Sequence, residues 1–533
     1  MTPMVDSGVL SVQQAAQFTP EQIVDLSRSH AQLREEVVTL KHQLDWFKRQ
    51  IFGEKSERRL VEVAPGQMSL GEALTVAQTA EAPPANTRRI DAHTRRVATK
   101  QADVDEDSVA FFDASRLPVE VIELPCPEAA RLGADEFEII NYKQSFKLAQ
   151  RPGSYVILNY RRPVIKVTST QAIHCPPAPL GVIDQSRADV SFIAGLLIDK
   201  FGYHLPLYRQ HQRLADAGIT VSRPWLTQIA QKGTALLEPI YAAQLASIRS
   251  SRVKAMDETP IKAGRDQPGK LKRGYFWPIY GQLDEICFPF FETRRGDPLK
   301  DILGLTPTKG EVLLSDGYEP YAIYAQKTGI THAQCWAHAR RKIFEAQGFS
   351  PQVAAQGLDM IGALYAVEDI IREKKLAGES KREYRLVHAK PVVERYFTWV
   401  REQIESLGLL PSNPLMNALN YSRERRWGLE VYLTDPDVPI DNNHLERALR
   451  VIPMGRKSWM FCWTELGAKH VGIMQSLIVT CRLHDIDPYD YLVDVLQRVG
   501  QHPANRVHEL TPRLWKQNFA ANPLRSALHT RNP

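Results

Sequence analysis

Three acidic residues stand in settings suited to metal chemistry: Asp257 in MDETP, Asp316 in LLSDGYEPY and Glu446 in DNNHLERALR. The run Glu-Val-Leu-Leu-Ser-Asp from Glu311 to Asp316 reads as a short buried strand bounded by Gly310 and Gly317. The run from Arg252 to Asp257 alternates, with Val253 and Ala255 on one face, and predicts a half-buried strand. Each aspartate would then stand at a strand end. Glu446 is set differently, because Asp441 is a good N-cap and Leu445, Ala448, Leu449 and Ile452 recur at helical spacing. Magnesium takes oxygen ligands and keeps several waters, so a few carboxylates suffice to hold it. A pair of such ions can activate a water or sugar hydroxyl and stabilise the leaving oxygen of an in-line phosphoryl displacement, the chemistry of cutting and joining DNA strands. Any one of these acids alone reads as a solvated surface group. Spacing by itself does not lift the trio above that reading.

The elements that must position them can be read around each acid. Tyr275-Phe-Trp-Pro-Ile-Tyr-Gly and Ile286-Cys-Phe-Pro-Phe-Phe are aromatic strand runs that follow Asp257 and would extend its sheet. Arg294, Arg295, Asp297 and Leu299 begin a helix-bearing crossover to the Asp316 strand. The chain between Asp316 and Glu446 is far longer than a compact sheet needs. From 351 to 430 it is periodic, with Leu358, Ile361, Leu364 and Tyr365, and charge-dense around Arg372 to Arg385, so an inserted helical subdomain at about 345–430 is expected. Its basic faces could hold DNA, although such faces are usually only solvated.

Several segments, in colinear order over nearly the whole chain, carry a resemblance. They are Ile51-Phe-Gly-Glu-Lys-Ser-Glu57, Asp257-Glu-Thr-Pro260, Asp316-Gly-Tyr318, Cys335-Trp-Ala-His-Ala-Arg-Arg341, Ile440-Asp-Asn-Asn443 through Glu446-Arg-Ala-Leu-Arg450, and Asp487-Pro488. Together they resemble transposases of the insertion sequence 66 family, whose catalytic domain is a DDE-type, ribonuclease-H-like α/β fold. The resemblance implies that Asp257, Asp316 and Glu446 are the catalytic, metal-binding triad, served by two Mg²⁺ or Mn²⁺ ions. Cys335 and His338 resemble the C-x-x-H feature that follows the second aspartate in several DDE transposases. Two ligands do not close a structural zinc site, which favours a packing and orienting role near the active site. Arg340 and Arg341 on the same helix, and Arg447, Arg450, Arg456 and Lys457 after Glu446, are candidate phosphate contacts.

A multidomain α+β protein follows. Residues 1–20 read as a loose, polar N-terminus. Over 21–58, Ile23, Leu26, His30, Leu33, Val37, Leu40, Leu44, Phe47 and Ile51 form a heptad, predicting a coiled coil that pairs with a copy of itself, against the alternative of one amphipathic helix packed on its own domain. Residues 59–118 form a linker with Arg88, Arg89, Arg95, Arg96 and Lys100 close together. A small β-rich module occupies 119–178. Relatives commonly carry a cysteine-rich zinc module there, whereas this chain offers only Cys126, His174 and Cys175, so a degenerate zinc-finger-like module without zinc is expected. In 179–250, helices over Val190 to Lys200, Leu207 to Ala217 and from Ser222 onward surround a turn at Gly218-Ile-Thr, predicting a helix-turn-helix with Arg223, Thr227, Gln228 and Lys232 facing DNA. The catalytic domain spans 251–480 and a helical tail 481–533.

Composition is compatible with this. Sixty-seven Lys and Arg against 61 Asp and Glu in 533 residues give a net charge of +6, so DNA-binding charge must be local. Six cysteines with no C-x-x-C pair argue against a disulfide scaffold. No apolar run is long enough to span a bilayer, and no signal pattern opens the chain, so a cytoplasmic, nucleoid-associated protein is expected. Two rivals remain. His444-Leu-Glu-Arg447 matches the His-x-x-Arg element of tyrosine recombinases, with Tyr489 or Tyr491 as nucleophile, but leaves both aspartates unexplained. A non-catalytic DNA-binding regulator would leave the acidic triad and the long C-terminal half without a use. The favoured reading is a DNA transposase that binds the terminal inverted repeats of its element and target DNA, as a homo-oligomer, with or without accessory proteins of the same element.

Overall fold

The computed structural model describes residues 118–529, apart from 133–134, 152, 180, 268–269, 407–409 and 411. The expected N-terminal segment and coiled coil, and the linker as far as residue 117, lie outside the described residues. The remainder is a mixed α+β structure.

Strands β1 (Val119–Glu123), β2 (Phe137–Arg151), β3 (Ser154–Val167) and β4 (Ile173–His174) form the first sheet, dominated by the long β2–β3 hairpin, with β1 parallel to β3. One face of its centre, with Val156, Leu158 and Tyr160, packs on Leu528 from the end of the chain, while Leu148, Tyr155 and Ile157 join the main core. In the run from Phe137 to Tyr142, by contrast, Ile139 and Ile140 are exposed.

Helix α1 (Val190–Leu197) is buried throughout and begins at Asp189, whose side chain accepts from Ser191 N. The helical periodicity continues to Lys200, but the chain shifts into a π turn over Ile198–Gly202. Helices α2 (Leu207–Asp216) and α3 (Arg223–Leu236) follow, joined by a turn in which Gly218 takes φ +82° and Ile219 is buried. Such a φ is open to glycine at little cost. Ser222 caps α3 by accepting from Trp225 N. Helix α4 (Glu238–Ser250) leads into the central sheet.

Three strands of that sheet share a construction. Strands β5 (Val253–Met256) and β6 (Thr259–Gln267) are one extended run bent at Asp257-Glu258. Strands β7 (Lys270–Phe276) and β8 (Ile279–Gly281) are a second, bent at Trp277-Pro278, and β9 (Ile286–Cys287) and β10 (Phe290–Phe291) a third, bent at Phe288-Pro289. Proline cannot donate to a ladder, so Pro278 and Pro289 suit these breaks. After α5 (Asp297–Leu303), β11 (Val312–Ser315), α6 (Glu319–Thr328) and β12 (Thr331–Gln334) complete a five-stranded sheet of order β12-β11-β5-β8-β9, while β10-β7-β6 form a separate three-stranded sheet. Strands β5, β11 and β12 are parallel, β8 runs antiparallel beside β5, and β9 runs antiparallel beside β8.

Strand β5 is buried on both faces, which corrects the half-buried expectation. Val253 and Ala255 enter the main core, and Met256 enters a second core with α4, α5 and α6 residues such as Ile248, Leu299 and Tyr321. Parallel strands need crossovers, and the crossover elements cover the second face. Lys254 is only 2% exposed and is held by Glu311, Nζ to Oε2 2.7 Å.

Beyond β12 the chain is helical: α7 (Trp336–Glu345), α8 (Pro351–Glu373), α9 (Gly378–His388), α10 (Lys390–Ser406), α11 (Pro414–Glu424) and α12 (Arg426–Thr434) precede α13 (Asn443–Leu449) and α14 (Val451–Trp459). Arg385 on α9 is fully buried, forks onto Glu368 at 2.7 and 2.8 Å, and donates to Tyr432 O and Val438 O. A buried guanidinium is tolerable only when so fully paired. Helix α15 (Glu465–Leu483) covers the β9 edge, where Thr480 and Ser476 hydroxyls accept from Ile286 N and Phe288 N. Helices α16 (Pro488–Arg498) and α17 (Pro512–Asn518) end the fold. No helix of the described residues is long and apolar enough to cross a membrane.

Candidate active site

Asp257 and Asp316 follow directly on the neighbouring parallel strands β5 and β11. The register pairs Val253 with Val312 and Ala255 with Leu314, so continuing it by two residues puts the two aspartates at the same level. The strand ladder thus sets them side by side through the backbone. Asp257 Oδ1 accepts from Glu258 N at 2.7 Å, and Asp316 Oδ1 from Tyr318 N at 2.9 Å. Burial, reinforced by the carboxylates of Glu258, Asp316 and Glu446, pushes Asp257 up to about 8. The three acids named by the sequence therefore lie within electrostatic reach of one another. They are not gathered at ligand distance: among the described residues, no three His, Cys, Asp or Glu side chains are grouped so as to hold an ion.

Glu446 rests on side chains rather than on a ladder. Arg341 Nη2 donates to its Oε2 at 3.3 Å, and His338 Nε2 lies 3.6 Å from its Oε1, which is buried and finds no hydrogen-bond donor among the described residues. A carboxylate oxygen buried without a donor, close enough to Asp257 to help hold its proton, is an acceptor left open to an external partner. The helix is anchored at its start. Cys335 Sγ donates to Asn442 Oδ1 at 3.0 Å and accepts from Asn442 N, while Trp336 N donates to Ile440 O. The expected cap is displaced by one residue. Asn442 occupies the N-cap position without a side-chain cap bond because its amide is engaged by Cys335. Asp441 Oδ1 accepts from Asn443 N instead, and its Oδ2 accepts from Tyr365 OH on α8. Burial pushes the Cys335 thiol up to about 12, so it stays protonated and acts as a hydrogen-bonding link.

Glu258, quoted in the sequence only as part of a motif, braces the first bend. Its buried carboxylate accepts from Arg294 Nε at 3.0 Å and from Tyr321 OH at 3.1 Å, and Tyr318 OH donates to Arg294 O. A charged residue beside a strand-end aspartate was the available signal, but its partners come from 36 and 63 residues away.

The proposed DNA contacts divide. Arg223, Thr227, Gln228 and Lys232 are all exposed on α3, with Arg223 over the Tyr208 ring. Arg340 and Arg341 are exposed on α7 and line a cavity of about 580 Å³ with Phe344, Tyr365 and Asn443. Arg447, Arg450 and Lys457 are exposed. Arg456 is half-buried and donates to Pro260 O on β6, so its guanidinium braces the three-stranded sheet. Of the rival nucleophiles, Tyr491 is fully buried with its hydroxyl on Leu510 O, and Tyr489 donates to Gln150 O. His444 is packed edge-on against Tyr280.

The family described as Transposase IS66 family matches residues 185–470, from the helices before β5 through Glu446 and into α15. The IS66 C-terminal element matches 476–513, and the description Transposase C of IS166 homeodomain matches 39–107. The chain belongs to the IS66 family of transposases. That membership supports a role in transposition with DNA as the partner. The last match overlaps the end of the expected coiled coil and most of the expected linker. Among similar proteins of Sinorhizobium fredii (strain NBRC 101917 / NGR234), the uncharacterized protein y4hP is 29% identical over 92% of this chain and 91% of its own length. The uncharacterized protein y4jD is 27% identical over 93% and 97%, respectively.

Proposed function

We propose that the protein binds the terminal inverted repeats of its element and catalyses metal-dependent strand cleavage and strand transfer through Asp257, Asp316 and Glu446. The observation that carries this is the pairing of two aspartates at equivalent ends of adjacent parallel strands, with a helix-borne glutamate inside their electrostatic field. The sheet order supports reading the domain as ribonuclease-H-like: an antiparallel meander β5-β8-β9 extended on its other side by parallel β11 and β12.

Mg²⁺ or Mn²⁺, when bound by these carboxylates, supplies Lewis-acid stabilisation of the phosphoryl oxygens and a more acidic nucleophile. The chain's own residues do the positioning. Asp257 and Asp316 are held by the sheet, and Glu446 is placed by Arg341 and by the Asn442–Cys335 link to orient the attacking water or 3′-hydroxyl. Arg340, Arg447, Arg450 and Lys457 offer exposed positive charge that sets the register of the DNA backbone rather than reading its sequence. On α3, Arg223, Thr227, Gln228 and Lys232 would face the major groove.

Incubation with labelled duplex carrying the flanking inverted repeats and Mg²⁺, followed by mapping of the cut ends, tests this reading. A free 3′-hydroxyl at the element end is expected. A covalent protein–DNA adduct formed in EDTA would contradict it.

A further inference from the structure

We propose that the cleft beside Asp316 receives one unpaired nucleobase from the DNA strand being processed. The proposal rests on the reading of the site as a DNA-cleaving centre and adds to it a base-capturing subsite. The cleft has a volume of about 310 Å³ and is bounded by Gly317, Tyr318, His332, Gln334, Arg425 and Trp427.

Three features define its occupant. Trp427, at the start of α12, leaves 67% of its surface exposed, although a large indole normally buries its apolar faces. Gln334, at the end of β12, is 9% exposed, and its Oε1 finds no hydrogen-bond donor among the described residues, while its Nε2 contacts only the His332 ring. A buried amide left half satisfied in a cleft wall calls for an external partner. Arg425 is the cleft's only guanidinium, and it is already engaged: it donates to Gly317 O and Tyr421 O, pairs with Glu424 at 3.3 Å and lies over the Tyr421 ring. Glu319 and Glu424 also border the cleft.

With its guanidinium paired to Glu424 and a second carboxylate, Glu319, at its rim, the cleft is unsuited to a phosphate. A flat, uncharged group with a polar edge suits it. A nucleobase meets that description: its face stacks on indole and its edge hydrogen-bonds to a glutamine amide. The walls are built for close approach. A Cβ on Gly317 would collide with Arg425 and Tyr421, and one on Gly428 with Gln334 and His332 O, so both glycines set the positions of the residues used here. Gly317 and Tyr318 directly follow Asp316, so a base in the cleft belongs to a nucleotide next to the phosphate held at the acidic centre.

The test uses full-length protein and duplexes carrying the flanking inverted repeats, with 2-aminopurine placed in turn at each position around the cleavage site, in EDTA. One position should change its fluorescence several-fold on binding, as that base leaves the duplex stack. The change should be lost in Trp427→Ala and restored in Trp427→Phe. Affinity for the repeat end should fall roughly ten- to a hundredfold in Trp427→Ala, the equivalent of losing one stacked base. No responsive position, or an equal response in Trp427→Ala, overturns the proposal. Cleavage scored on the same duplexes with Mg²⁺ reports on the catalytic reading alone, so the two can fail separately.

Discussion

The two kinds of carboxylate at this site are held in opposite ways. Asp257 and Asp316 are fixed by a buried parallel ladder, and almost every residue of β5 and β11 is sealed on both faces. Glu446 stands on a short helix, α13, placed by the packing of Leu445 and Ala448 in the main core, by one backbone bond before its start, and by a few side-chain bonds to Cys335, Arg341 and, through Asp441, Tyr365. A ladder fixes position through many backbone bonds and tolerates the loss of any one. A short helix held mainly by side-chain packing and bonds can be shifted by single substitutions. The strand half of the site is therefore the rigid part and the helix half the adjustable one.

If both halves complete one centre, substitution of either should be equally severe. Glu446→Gln should lower cleavage by about a thousandfold or more, as Asp257→Asn should, since each removes several kcal/mol of transition-state stabilisation. Electrophoretic binding to the repeat ends should survive in both. Retention of cleavage in Glu446→Gln alone would break the pairing and leave the two aspartates to act without the helix.

The contrast sharpens one step away from the carboxylates. Asn442→Ala removes the partner of Cys335 and should lower cleavage about ten- to a hundredfold, the usual cost of losing a group that orients a ligand. The effect should appear in kcat more than in DNA affinity, and the conservative Asn442→Asp should recover part of it. An Asn442→Ala protein with wild-type kcat would show that α13 is positioned by its packing alone.

A third expectation is specific to the buried strand half. Asp257 is raised from 3.8 to about 8, so between these values the folded protein holds a proton that the unfolded chain has released. Without divalent metal, stability should fall as pH rises from about 4 through 8. Asp257→Asn removes the titration, so in EDTA its melting temperature should exceed that of wild type by a few degrees at pH 8 and differ less at pH 5. Parallel melting curves across this range would contradict the buried, charge-crowded setting of Asp257.

The same division governs what could be read from sequence. The strand before Asp316, the Ser222 cap and the turn at Gly218 are local patterns, and each is found where periodicity and turn chemistry put it. The aromatic runs after Asp257 do form strands, but each is bent at a proline and divided between the Asp257 sheet and a second one. What was not legible depends on distant partners. The burial of β5 on both faces needs α4, α5 and α6 behind it, so alternation in four residues could not reveal it. Asn442 reads only as part of the Ile440–Asn443 motif until Cys335, 107 positions earlier, donates to its side-chain oxygen. Arg456 reads as a free cation until the bend at Pro260 brings a carbonyl to it. The cleft between Gln334 and Trp427 has no sequence signature, because its walls come from β12 and from the helical stretch beyond it.

The most direct measurement is strand cleavage of a duplex bearing the flanking inverted repeats, comparing wild type with Asp316→Asn in Mg²⁺ and in EDTA. The account predicts nicking that leaves a 3′-hydroxyl for wild type in Mg²⁺ only, and none for Asp316→Asn in either condition, with both proteins bound to the duplex. Undiminished cleavage by Asp316→Asn, or by wild type in EDTA, would contradict it.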